Sequence, residues 1–428
     1  MGPFNVWLYV LASMTFFIDL LDVLLRLYLR REQTIYRRSS SGAATSVPLN
    51  VGAFSPYEMS LHVRPYAIVA AVHNLPADAL DRFLEAMQAH RDRLWVIDDA
   101  STDDTWARLQ AAGVRAIRSD LNRLKPASIK ALVAELPPEI ETVMVVDPDS
   151  RILTSPADVA AVIFEFQRSE MAAICPRICV RRTSTLTRFQ QLEYSLSFSI
   201  GRKALSDYTL TSGIALYRRN ALQAVLSRHS LSVYAEDLEN ALLLLQNGER
   251  LYYDGRLVVE TDGMTTIRDL FSQRVGWSFG LIKVYASHWR HLLGQSRRGV
   301  VFTYQYVIYM GVFLLLLHPA KLIGIGILIA SGLNVVDDIF GAHLIPENSL
   351  TSGIYFTAVY VKYTGLALIS IPLAVRRSER RDVLAIVPLY MFYAVAQVIP
   401  TTVGYLNWFS VRALGRRVFR DHYQPVAP

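Results

Sequence analysis

The sequence predicts an α/β domain with a mostly parallel sheet, joined to an α-helical transmembrane region. Three observations lead there. Residues 65–260 alternate short apolar runs with amphipathic stretches, the pattern of strands joined by crossover helices. Two of those runs end in paired carboxylates, Asp98-Asp99 and Asp147-Pro148-Asp149. The apolar fraction, 52% of 428 residues, is concentrated at residues 4–29 and 301–410 instead of being spread evenly.

Taken from the start, Phe4 to Leu25 forms an apolar stretch of spanning length, broken near its end by Asp19 and Asp22. No Lys or Arg precedes it and no small-residue cleavage site follows, so residues 1–29 read as a retained anchor and not a signal peptide. Asp22 and Arg26 are four apart and suit an interfacial pair. Residues 30–64 read as a juxtamembrane linker containing the small polar run Ser39 to Ser46. The net charge of +7 would suit a nucleic acid, but the arginines cluster beside the apolar segments. Arg26, Arg30, Arg31, Arg37 and Arg38 follow the first, and Arg412, Arg416, Arg417 and Arg420 follow the last. Membrane lipids are therefore the expected partner of this charge, and nucleic acid is not.

Within the α/β stretch, Ala67 to Val72 is a buried-strand run ending at His73-Asn74. Residues 76–91 place Leu80, Phe83, Leu84 and Met87 at helical spacing. Leu94 to Ile97 is a second strand, closed by Asp98-Asp99 and the polar run to Asp103, and Val143 to Val146 is a third, closed by Asp147-Pro148-Asp149. A parallel arrangement brings both acidic pairs to the carboxyl edge of the sheet, where ligands bind in such folds. Asp-x-Asp offers two hard oxygen donors suited to Mg2+ or Mn2+, although the same triplet is also a turn signal. Glu236-Asp237 opens a long apolar run, Leu238 to Leu245, where acidic residues also serve ordinary helix capping. Cys175 and Cys179 lack companions for a zinc site and read as two reduced thiols.

Residues 266–300 read as interfacial helices and 301–411 as transmembrane helices, with a basic tail at 412–428. Four apolar segments are candidates: Val301–Leu317, Leu322–Val336, Ile354–Val375 and Val383–Phe409. Four crossings return the tail to the cytosol but put the Arg376 to Arg381 cluster outside, whereas an interfacial Leu322–Val336 reverses both.

In order, Val-Ile-Asp98-Asp99-Ala-Ser-Thr-Asp103, Asp147-Pro-Asp149, Thr211-Ser-Gly213, Ala-Glu236-Asp237 and Gln273-Arg274-Val-Gly-Trp277 resemble the family-2 inverting glycosyltransferases of GT-A fold. More narrowly they resemble the membrane-embedded processive branch that includes hyaluronan, chitin and cellulose synthases. The resemblance covers about residues 65–290 and implies a GT-A, Rossmann-like domain over residues 65–265. It implies that Asp98 and Asp99 hold the base and ribose of a nucleotide sugar, UDP-linked in that branch, and that Asp147 supports the nucleotide. It further implies that Asp149 is the metal ligand, for Mg2+ or Mn2+, and that Asp237 is the general base beside Glu236. Lys125 occupies the place of a basic segment, while Gln273, Arg274 and Trp277 would contact acceptor or diphosphate, with Trp277 stacking on a sugar face. The chain departs from the pattern at Gly276, where an arginine usually precedes the tryptophan, and at His73-Asn74-Leu75, and it lacks the gating loop of cellulose synthase proper.

The expected activity is thus elongation of a polysaccharide at the plasma membrane, with the catalytic domain in the cytosol. A transferase adding one sugar to a lipid acceptor is the alternative within the same chemistry. A membrane scaffold or transporter with a degenerate transferase domain is the alternative outside it.

Overall fold

The computed structural model describes residues 21, 24–28, 55–205, 208–231, 235–294, 299–340, 349–375 and 377–419. Its named elements, in chain order, are α1 (Pro56–Leu61), β1 (Tyr66–Val72), α2 (Ala77–Ala86), β2 (Leu94–Asp98), α3 (Thr105–Ala111), β3 (Arg115–Arg118), α4 (Leu124–Glu135), β4 (Thr142–Val145), β5 (Ser150–Ile152), α5 (Pro156–Arg168), β6 (Met171–Arg181), α6 (Thr185–Tyr194), β7 (Ala215–Arg218), α7 (Arg219–Arg228), α8 (Glu236–Gln246), β8 (Arg250–Asp262), α9 (Ile267–Gly294), α10 (His318–Phe340), α11 (Ser349–Ala374) and α12 (Val398–Leu414). They fall into two compact units, an α/β unit of residues 30–182 and 197–263, and a helical unit of residues 1–29, 183–196 and 264–428. Thr183–Leu196, which includes α6, groups with the helical unit despite lying inside the stretch read as the α/β domain.

The α/β unit is built on one eight-stranded sheet in the order β3-β2-β1-β4-β7-β6-β8-β5. The half from β3 to β4 is parallel throughout, as its apolar runs predict. Every residue of β4, and all of β1 but Ala71, is buried, because helices cover both faces of such strands. The other half is mixed. β7 runs antiparallel to both β4 and β6, and β5 antiparallel to β8. Strands of three or four residues, such as β5 and β7, are too short to show a period, so the sequence does not reveal this reversal.

Cys175 and Cys179 are both buried thiols outside any disulfide, and burial pushes the Cys175 thiol up to about 11. At pH 8 about 0.1% of such a thiol is ionised, so native protein is expected to react with a thiol reagent far more slowly than unfolded protein. Rapid labelling of both cysteines in the native state, read by mass spectrometry, contradicts this packing.

Among the described residues of the helical unit, two stretches are long and apolar enough to cross a membrane by length and composition, His318–Asp337 and Arg380–Leu414. Only 22% and 39% of their most apolar windows are buried, and Ile329, Leu333, Leu406 and Phe409 point outward. The apolar run Leu322–Val336 is short by sequence, yet α10 extends helically over 23 residues. α9 and α12 cross closely at Gly404, where a Cβ would stand 2.6 Å from Ser278 Cβ, a contact only a small residue permits. Most of the anchor predicted at Phe4 to Leu25, its Asp19 and Asp22, and the whole Ser39 to Ser46 linker lie outside the described residues. Arg26 is described, and its guanidinium donates to Gln305 Oε1 at 2.7 Å.

Candidate active site

Parallel pairing sets the first half of the site. The β1/β2 register places Asp98 opposite Val72, so the loops that leave β1 and β2 run side by side. They are tied together: His73 Nδ1 lies 2.8 Å from the Asp99 carbonyl, and the Asn74 amide donates to Ser101 Oγ at 2.9 Å. The Asp98 carboxylate is fully buried, accepts from the Ser101 amide at 3.2 Å and lies 3.2 Å from Arg118 Nε. It braces its own loop. Asp99 Oδ1 accepts from the Arg123 amide at 2.8 Å, which anchors the residue just before α4.

The second residue of α4 is Lys125, and it is the centre of the site. Its ammonium lies 2.5 Å from Asp147 Oδ1 and 3.2 Å from Glu236 Oε1, and donates to the Gly213 carbonyl at 3.3 Å. One cation therefore gathers the loop after β4, the start of α8 and the approach to β7. Gly213 sits against that ion pair. A Cβ there would stand 2.9 Å from Asp147 Oδ2 and 3.2 Å from Lys125 Nζ. Gly213→Ala is expected to push the ion pair apart and cost about 1–3 kcal/mol. Thermal unfolding of the full chain checks it, and an unchanged midpoint contradicts the close approach.

Asp149 is held separately. Ser150 Oγ donates to its Oδ1 at 3.2 Å, and Thr261, opposite Ser150 in the β5/β8 register, donates to Oδ2 at 3.0 Å. Burial, and then the neighbouring Asp147, raise its carboxyl to about 6 despite those two hydroxyls. Glu236 is raised to about 7, by burial first; Lys125 opposes the rise, and Asp237 and Asp147 add to it. Burial works against the charge on Lys125, but Asp147 and Glu236 outweigh it and hold the amine well above its ordinary range. The cluster thus carries more negative charge than Lys125 neutralises.

That excess bears on metal binding. Among the described residues no three His, Cys, Asp or Glu side chains are grouped to enclose an ion. Asp149, with Asp147 beside it, fits the other common mode, in which Mg2+ or Mn2+ is held by one or two carboxylates and completed by substrate phosphates and water. The residues fit the ion only as part of a ternary site.

α8 begins at Glu236 with Ala235 as its cap, in the left-handed region at φ 56° and without a side-chain cap bond. Asp237 is partly exposed and well fixed. Thr211 Oγ1 donates to its carbonyl at 2.7 Å, and its Oδ1 accepts from the Leu238 amide at 2.9 Å. Lys125, Gly213, Glu236, Asp237 and Asn240 line one small cleft over Tyr217.

Gln273, Arg274 and Trp277 lie on α9, in the helical unit. Arg274 is buried, donates to Glu193 Oε2 at 2.8 Å and stacks 4.1 Å from the Trp277 ring centre. Tyr393 donates to the same carboxylate at 2.5 Å, so this arginine is engaged within its own unit. In the α/β unit, Lys125 joins Asp147 to Glu236, while Asp99 holds the Arg123 amide two residues before Lys125; Asp98 and Asp237 adjoin Asp99 and Glu236 in sequence, and Asp149 lies two residues after Asp147. Sequence reasoning assigned no site role to Thr211, Gly213, Arg123 or Thr261. The Thr211-Ser-Gly213 motif was a signal for the first two; a backbone amide such as that of Arg123 has no residue-type signature.

The family model described as "Glycosyl transferase family group 2" matches residues 142–397. A search of curated protein sequences finds no match. Among solved structures, the chain is similar to the mannosyltransferase PcManGT from Pyrobaculum calidifontis, in complex with GDP-Man and Mn2+, with 15% identity and a TM-score of 0.50 over 91% of this chain and 99% of that one. It is also similar to glucosyl-3-phosphoglycerate synthase from Mycobacterium tuberculosis, in complex with Mn2+, UDP and phosphoglyceric acid, with 16% identity and a TM-score of 0.37 over 54% of this chain and 82% of that one. At these identities the first likeness is one of fold.

Proposed function

Because the chain belongs to glycosyl transferase family group 2, we propose that it transfers sugar from a nucleotide sugar, UDP-linked, to a growing polysaccharide at a membrane. The observation that carries this reading is Lys125, whose ammonium joins the acids after β4 to the acids opening α8. One ammonium thereby joins two acidic motifs 89 positions apart, at Asp147 and Glu236, and Lys125 and Glu236 line the cleft.

The residues divide the work. Asp99, with Oδ1 engaged by Arg123, offers its second oxygen to the nucleoside, and Asp98 acts through the loop it braces. Asp149, supported by Asp147, holds Mg2+ or Mn2+. Bound there, the ion supplies Lewis-acid neutralisation of the departing diphosphate. Lys125 adds a second positive charge to the same region. Asp237 takes the proton of the acceptor hydroxyl as its oxygen bonds to the anomeric carbon; the bond from that carbon to the diphosphate breaks, and configuration inverts. Gln273 and Trp277 are assigned to the acceptor on the motif alone, and Arg274, engaged by Glu193, is not offered for that role.

The outward-facing apolar stretches of the helical unit support an integral membrane protein, and we place it in the plasma membrane with the α/β unit cytosolic. A second reading, one sugar added to a lipid acceptor, keeps the same chemistry, whereas Gly276 and the engagement of Arg274 with Glu193 favour the degenerate scaffold. Washed membranes carrying the chain, given labelled nucleotide sugars with Mn2+, separate the readings. A ladder of long products supports the polymer and a single lipid-soluble product supports the lipid. Neither transfer nor nucleotide release from any donor would leave the scaffold.

A further inference from the structure

Around the first turn of α8 lies a cluster, buried at Glu239 and His229 and exposed at Ser230, that no step above uses. Glu239, one turn into α8, is 5% exposed. Its Oε1 accepts from the Ser230 amide at 3.0 Å and its Oε2 from Ser230 Oγ at 2.5 Å. His229 Nδ1 accepts from the Leu231 amide at 2.8 Å, which leaves the ring proton on Nε2. That nitrogen is 3.2 Å from the Glu236 carbonyl and 3.5 Å from Glu239 Oε2. The backbone around this cluster is unusual: Leu231 and Ala235 both adopt the left-handed region, at φ 56° each, and neither is glycine. Such conformations persist only where surroundings over-determine them. A buried carboxylate is tolerated only with its hydrogen bonds made, and here they come from the chain that leads into α8.

We propose that Glu239 is a positioning residue for Asp237. It ties Ser230 to the first turn of α8, and through His229 and the Glu236 carbonyl it sets where the base stands. This rests on the reading of Asp237 as base. Asp99, Asp147 and Asp149 are held by other elements, and Lys125 keeps Asp147 and the Gly213 carbonyl, so loss of Glu239 leaves donor binding in place and slows the chemical step.

The test uses the full chain in membranes, with kcat, donor KM and nucleotide affinity measured separately. Glu239→Ala is expected to lower kcat by about 100-fold, the effect of a displacement near 1 Å, with donor KM and nucleotide affinity unchanged. Glu239→Gln can still bond both Ser230 groups, although its NH2 then faces the His229 Nε2–H, and is expected to recover part of the lost kcat. Should Glu239→Ala fail to fold, Ser230→Ala removes one bond only and is expected to show a smaller loss of the same kind. An unimpaired kcat in the alanine variants, donor affinity falling in step with kcat, or a Gln variant as slow as the Ala variant each overturns the proposal. Asp237→Asn run alongside separates the two claims. Full activity there sinks the base, whereas an inactive Asp237→Asn beside a normal Glu239→Ala sinks the positioning role alone.

Discussion

Asp237→Asn is expected to lower the rate of sugar transfer by about 100- to 10,000-fold, the usual contribution of a positioned general base. The substitution is isosteric and its amide oxygen still accepts from the Leu238 backbone, so the start of α8 keeps its form. What disappears is basicity. Donor affinity, set by residues on β2, α4 and the loop after β4, is expected to stay near the wild-type value. Single-turnover transfer and nucleotide binding, measured on the same preparation, distinguish the two. Transfer within a few-fold of wild type would move the base role away from Asp237, and Glu236 would be the next residue to test.

Lys125→Met is the second large effect, and it acts on stability as well as rate. Removing the ammonium leaves Asp147 and Glu236 without their shared cation, their side chains 30% and 19% exposed. Breaking a fully buried pair by removing one partner costs ~3–5 kcal/mol; partial exposure brings the expectation to about 2–3 kcal/mol. For a unit of this size that corresponds to a fall of roughly 5–10 °C in unfolding midpoint. The sign with pH follows from Glu236, whose carboxyl already stands at about 7 in the presence of Lys125. A carboxyl raised in the folded state is discharged by folding, so the penalty is greatest above pH 7 and shrinks as the solution is acidified. Lys125→Met with Glu236→Gln is expected to recover part of the loss, because the two sites couple directly. Additive losses in the double variant would show that Lys125 and Glu236 do not interact.

How much of this was legible beforehand depends on the residue. The acidic pairs were readable because each ends an apolar run, and a buried parallel strand leaves its polar punctuation at the carboxyl edge. Lys125 was readable only as a loose positional match. Its importance comes from contacts to residues 22 and 111 positions away, and nothing in Leu-Lys-Pro-Ala points to them. Gly213 looked like one motif residue among others, whereas its lack of a Cβ is what lets Asp147 and Lys125 approach. Arg274 looked available as a diphosphate clamp, yet it is buried against Glu193 and Trp277. The reversal of β7 was invisible for a different reason: four residues cannot display a period.

From the residues alone, the parallel half of the sheet, the chemistry of its acidic edge and the separate apolar region could be inferred, because patterning and strand-end chemistry are local. Folding decided which acids share a cation, where a side chain had to be absent, and which arginine was already engaged. Those outcomes rest on distances between segments remote along the chain, and Coulomb interaction and steric exclusion depend on distance through space, to which order in the polypeptide is blind.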